Sequence, residues 1–218
     1  MKITLCSVAV YIILGFAALS TFSQERTGPL PTPAAKSQQT EKGSVRVMNG
    51  TLRVEFPQVA NWEKGDLVTY PQPELGSSVS YESDGGAVVT AYIFNGGLRS
   101  IPNMLNGPVK LEMDRARAEI ASMAELGYYS DLKELAGGKK TLAEKDGRIA
   151  VLHSAYSLTV RQRPMISEIY VFPFRNHFVK VRVSTPQASP ADAKIQLETL
   201  LKELENLFAD NLDRNNAA

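Results

Sequence analysis

The chain has 218 residues, 44% of them hydrophobic and 22% charged, with 24 Lys and Arg against 23 Asp and Glu. That composition allows one sizeable core and excludes both a disordered chain and the basic footprint of a nucleic-acid binder. A single cysteine, Cys6, rules out a disulfide framework, and two histidines leave little for a metal site.

Lys2 precedes an apolar run from Ile3 to Phe22, broken only by small or hydroxyl residues, and Thr21-Phe22-Ser23 offers small residues where a signal peptidase reads. Residues 1–23 are expected to be a secretory signal peptide. The alternative is an uncleaved anchor, because the run is near the ~20 residues a bilayer span needs. Either way the domain is expected outside the cytoplasm, periplasmic or secreted if cleaved and N-terminally membrane-anchored if not. Without Lys2 the basic count falls from 24 to 23, equal to the acidic count, and Cys6 leaves with the same segment. Residues 24–44, rich in Pro, Thr, Ser, Gln and Lys, cannot repay their ordering entropy and are expected to be a disordered linker.

A single α+β domain is expected over 45–212, with a disordered tail at 213–218. Residues 45–47 and 52–56 alternate around Asn49-Gly50, a hairpin signal. Pro57 to Trp62 reads as a loop carrying the sole tryptophan, either a core anchor or a stacking surface for a ligand. Strands follow at 77–82 and 87–95, joined through Ser83-Asp84-Gly85-Gly86. The second is apolar on both faces and is expected at the sheet's centre. The stretch 95–108 lacks periodicity and carries Arg99, and suits a functional loop or a passive crossover equally.

From 110 to 126, Met113, Ala116, Ile120, Met123 and Ala124 form an apolar stripe, while Glu112, Arg115 and Glu119 form an exposed row. Gly127 is expected to end this helix, with Tyr128 and Tyr129 in a turn beside Ser130-Asp131. Residues 141–144 and the turn Lys145-Asp146-Gly147 lead to three strand runs, 148–160, 165–174 and 178–185. A turn at Asn176-His177 would set Phe174 opposite Val179, Phe172 opposite Val181 and Tyr170 opposite Val183, leaving Lys180 and Arg182 on the other face. Ser189 reads as an N-cap, Pro190 as the first helical residue and Asp192 as a first-turn acid. Leu197, Leu200, Leu201, Leu204, Leu207 and Phe208 then line one side of the closing helix. Short links between the late strands require an antiparallel sheet, of six or seven strands, covered by two long helices.

His153 lies mid-strand and His177 in a tight turn, neither with a partner at metal-ligand spacing, so no metal and no cofactor is expected. His153 reads as a satisfied or partly exposed histidine rather than a catalytic base. Gly85-Gly86, Gly96-Gly97 and Gly137-Gly138 read as turn or loop pairs, not phosphate cradles. Trp62, Arg99, Tyr128 and Tyr129 combine loop placement with contact area and are the candidate ligand-binding residues. No catalytic constellation is found. The loop of Phe56, Pro57 and Trp62, the hairpins, the amphipathic helix, three long strands and a final helix ending Leu207-Phe208 resemble the PsbP-like α/β/α sandwich over about 45–210. The resemblance implies a non-catalytic accessory module that docks to partners, and no functional residue carries over. The function expected is an extracytoplasmic binding or accessory module with an envelope protein as its partner. The alternative is a small-ligand enzyme or hydrolase using His153 or the Arg99 loop.

Overall fold

The computed structural model describes residues 44–46, 52–142, 149–189 and 191–213. The expected signal peptide, the linker as far as residue 43, the turns at 49–50 and 145–147 and the tail at 214–218 lie outside them. All described residues fall in one compact unit, 35–218.

Two short strands, β1 (Ser44–Arg46) and β2 (Arg53–Glu55), pair antiparallel in a sheet of their own, Val45 opposite Val54. Leu52, Val54 and Phe56 nonetheless belong to the main core. That core lies on an antiparallel sheet of eight strands: β3 (Glu63–Lys64), β4 (Val68–Thr69), β5 (Ser77–Glu82), β6 (Val88–Phe94), β7 (Ser130–Leu142), β8 (Ile149–Val160), β9 (Arg163–Phe174) and β10 (His177–Pro186). Their order is β3-β5-β6-β10-β9-β8-β7, with β4 also on β5. Eight replaces the expected six or seven: β3 and β4 are two-residue strands, and β7 has the sequence of a turn and loop. Gly137-Gly138 therefore lies within a strand, not in a turn. β7 is the last strand of the order, and bulges between Ser130 and Lys133 and between Glu134 and Ala136 break the period that marks a strand.

The hairpin from β9 to β10 turns at Arg175-Asn176, one residue earlier than expected, with φ of 46° and 63°. Both residues take the left-handed conformation of a primed hairpin turn, which Asn adopts readily and which matches strand twist. His177 consequently starts β10, buried, with Nδ1 donating to the Arg175 carbonyl at 2.8 Å. Moving a turn by one residue slides the partner by two. Phe172 therefore pairs with Val179 and Tyr170 with Val181, and the aromatic and valine side chains keep the face expected of them.

Helix α1 (Pro108–Glu125) buries Val109, Met113, Ala116, Ile120 and Met123. Gly127, at φ 77°, donates to Ala124 and Tyr128 to Met123, so the helix ends in the paired bonds of a Schellman motif. Glu112, expected in the exposed row, is only 3% exposed because Lys180 of β10 meets it at 3.2 Å. Helix α2 (Ala191–Asp213) buries Leu200, Leu204 and Phe208 in the core, with Leu197, Leu201 and Leu207 packed beside them. The Phe208 ring meets Phe56, Phe172 and Phe174 edge to face, at 6.2, 5.4 and 5.1 Å between centroids. Ser189 donates its hydroxyl to the Pro186 carbonyl at 2.6 Å, holding the approach to α2 by its own backbone contact.

Candidate functional site

The four residues singled out from the sequence do not share a rim. Trp62 is 4% exposed and donates Nε1 to the Gln196 carbonyl at 3.2 Å, anchoring the loop before β3 to α2. Arg99 is exposed, and its loop is pinned to the β9–β10 turn by Asn176. That side chain accepts from the Ile101 amide at 2.6 Å and donates to the Arg99 carbonyl at 3.0 Å. Tyr129 instead accepts from Arg182 at 3.3 Å, and Arg182 lies about 16 Å along β10, at ~3.3 Å per residue, from His177 at the strand's start beside that turn. Tyr128, 62% exposed, adjoins Tyr129, which is 7% exposed.

His153 has partners that its sequence position does not disclose. Its Nε2 lies 2.9 Å from Glu168 Oε1, and Tyr170 donates its hydroxyl to the same oxygen at 3.1 Å. The imidazole stacks on the Tyr170 ring at 4.7 Å, and Lys140 Nζ lies 5.3 Å from that ring's centre. Burial first, then the neighbouring Glu168 carboxylate, push the Tyr170 hydroxyl above tyrosine's ordinary 10.0, so it stays a donor. With Nε2 donating to the carboxylate, Nδ1 is the ring's acceptor, and no described residue donates to it. Gly138 stands opposite His153 in the β7–β8 ladder with nothing within 4 Å of where a Cβ would point. The His153–Glu168 contact has the imidazole–carboxylate geometry that orients a general base.

A second polar assembly lies on the opposite face. Register puts two rows side by side on β5, β6 and β10: Ser78, Tyr92 and Lys180, then Ser80, Thr90 and Arg182. Helix α1 packs mainly on β7, β8 and β9 and reaches β10 through Glu112 and Glu119, so the helix and these rows meet in a corner. Glu119 and Tyr129 stand on the helix side; Tyr70 stands on the other, its hydroxyl 3.0 Å from Ser78 Oγ. Lys180 lies 3.2 Å from Glu112 and 3.9 Å from Glu119, over the rings of Tyr92 and Phe94 at 5.6 and 5.3 Å. Burial pushes the Tyr92 hydroxyl up and Arg182 pulls it partly back. Of the four candidate ligand-binding residues, Tyr129 alone has a bond into this corner.

No family model matches the chain, and no curated protein matches it. Solved structures similar to it include the solution structure of cyanobacterial PsbP from Synechocystis sp. PCC 6803. It has 14% identity and a TM-score of 0.40, over 80% of this chain and 94% of that one. A point mutant of the protein Mog1 is similar at 9% identity and a TM-score of 0.35, over 80% and 92% of the respective chains. PsbP and Mog1 share a PsbP-like fold, the resemblance drawn from the element order. At these scores the likeness bears on no residue's role.

Proposed function

We propose that this protein is a non-catalytic binding or accessory module working outside the cytoplasm, delivered by the leader-like residues 1–23 and held on a tether formed by 24–44. In that reading the two long helices cover the sheet unequally. Helix α2 closes the apolar face, while α1 covers only part of the other and leaves the corner over β5 and β6 as the binding surface. The observation that carries the reading is this corner, where half-buried hydroxyls and cations from three strands converge beside Tyr129. The resemblance to partner-docking PsbP-like modules supports it only as fold analogy.

The test is photo-crosslinking in the producing cell. A photoreactive residue at Tyr128, on the corner's rim, should give discrete adducts by mass spectrometry, and one at Lys202 on α2 should give none. Equal adduct patterns at the two sites would end the reading. The fate of residues 1–23 is read separately from the mature N-terminus of the exported protein.

A second reading, a small-ligand enzyme or hydrolase, is favoured by the 2.9 Å contact of His153 with Glu168. Under it, His153→Ala should remove turnover of an ester panel, with a pH profile that Glu168→Gln displaces. Activity unchanged in both variants rejects it.

A further inference from the structure

We propose that Arg182 anchors an anion site in the corner between α1 and strands β5 and β6, taking the carboxylate or phosphate group of a small molecule. The proposal rests on reading that corner as the binding surface.

The two cations of the corner are treated unequally. Lys180 is matched by two carboxylates, Glu112 at 3.2 Å and Glu119 at 3.9 Å. Arg182, half-buried two residues further along β10, has no carboxylate partner among the described residues; it donates to the Tyr129 hydroxyl at 3.3 Å and lies near the Tyr92 hydroxyl. A guanidinium offers five N–H donors in a planar fork that fits a carboxylate or phosphate edge. One donor in use leaves the fork largely open, and a partly desolvated charge without a counterion is costly unless something supplies one.

The surroundings suit an anion's remaining oxygens. Thr90 stands directly across from Arg182 in the ladder and Tyr92 lies on the diagonal, both within cross-strand reach, while Ser80 lies one strand further out, beyond Thr90. Each carries a hydroxyl that can turn to donate. A cationic ligand would face Arg182 itself, and a neutral polyol would leave the charge unmet. Glu119, 34% exposed at the same corner, limits how much negative charge can enter and favours a carboxylate or monophosphate group over a polyphosphate.

Titrating the purified ¹⁵N-labelled protein with sodium succinate and with sodium phosphate decides the matter. Neutral succinamide and sodium chloride at matched ionic strength serve as controls. Saturable shifts of the Thr90 and Arg182 amides and of Arg182 Nε–H are expected with at least one anion, and the tighter probe names the preferred group. Arg182→Gln should weaken binding on the order of tenfold or more, Arg182→Lys by less, and Glu119→Gln should tighten it, since it removes a nearby like charge. The Glu119→Gln gain is one that a merely structural Arg182 would not produce, and Arg182→Lys with Glu119→Gln decides if Arg182→Gln does not fold. Failure of both anions to saturate beyond the chloride control, or an affinity unchanged in the Arg182 variants, overturns the proposal. Saturation by succinamide alone overturns it too, while leaving the corner standing as a binding surface.

Discussion

Along β10, Val179, Val181 and Val183 join the core shared with α2, while Lys180 and Arg182, one residue out of phase, meet Glu112 and Tyr129 on the α1 side. One strand thus borders a dry layer and a wet one. On the α2 side, apart from the His153–Glu168 pair, stabilisation comes from area removed from water and from ring packing around Phe208, so it is spread over many contacts and its centre tolerates no charge. On the α1 side, besides the buried stripe of Val109, Met113, Ala116, Ile120 and Met123, it depends on matched partners: Glu112 to Lys180, Arg117 to Ser154, Arg182 to Tyr129. Matched pairs contribute little net stability while intact, yet removing one member leaves the other desolvated and unpaired. The apolar face should therefore respond to volume and the polar face to pairing.

The largest effect is expected at the centre of the dry layer. Leu200→Asp places a carboxylate at a site with 0% exposure and should abolish the cooperative unfolding transition. Phe208→Ala, which empties the space between three phenyl rings, should cost about 3–5 kcal/mol in urea denaturation. A folded Leu200→Asp protein with an ordinary transition would mean that α2 does not close this face.

On the wet side, Glu112→Ala should cost about 3 kcal/mol, because Lys180, itself 13% exposed at the side chain, keeps its charge and loses its nearest carboxylate. Replacing both, Glu112→Met with Lys180→Met, should recover most of that loss. If the double variant is as unstable as the sum of the two singles, packing rather than pairing holds this contact.

Titration distinguishes the faces again, since the most strongly shifted tyrosines, Tyr81 and Tyr170, both lie in the α2-side core. Burial pushes both hydroxyls above their ordinary 10.0, with Glu168 adding to the shift at Tyr170. The folded chain then holds protons that the unfolded chain releases, so stability is level below pH 10 and falls as pH rises beyond it, by about 1.4 kcal/mol per group per pH unit. Tyr81→Phe should flatten that fall by the share of one group, at the expense of the 2.9 Å bond to the Pro57 carbonyl. An unfolding midpoint in urea that does not move between pH 9 and pH 11 would contradict this.

The dry layer is almost wholly legible in the sequence. Leucine spacing in α2 and the alternation of β9 and β10 each announce a side chain's environment locally, and the buried residues follow them; β6, apolar on both faces in the sequence, buries Val89, Ala91 and Ile93 but leaves Val88, Thr90 and Tyr92 half-buried. The wet layer is not. Glu112 reads as exposed because its partner, Lys180, is 68 residues away and helical spacing groups it with Arg115 and Glu119. The corner around Arg182 arises only when the two registers that join β5, β6 and β10 align, which no single strand declares. His153 likewise shows nothing of Glu168 until β8 and β9 are paired. Trp62 and Tyr129 stand out in the sequence by their size, and both are buried, with their polar ends engaged by Gln196 and Arg182.

Gly137 marks where pairing and strand formation conflict, and it carries the smallest of the expected effects. A Cβ there would run into the Arg117 guanidinium and approach Glu134 Oε1 at 2.9 Å, so the glycine that disguises β7 as a loop is what lets Arg117 cross to Ser154. Arg117 Nε donates to the fully buried Ser154 hydroxyl at 2.7 Å. Gly137→Ala should displace the flexible end of Arg117 rather than the backbone, and leave Ser154 without that donor, at a cost of about 1–2 kcal/mol. The same substitution in an Arg117→Ala background should cost almost nothing, because the obstructed group is gone and alanine suits a strand better than glycine. Equal costs in the two backgrounds would mean that the glycine serves the bulged course of β7 itself, and that this edge of the polar layer does not depend on the Arg117 contact.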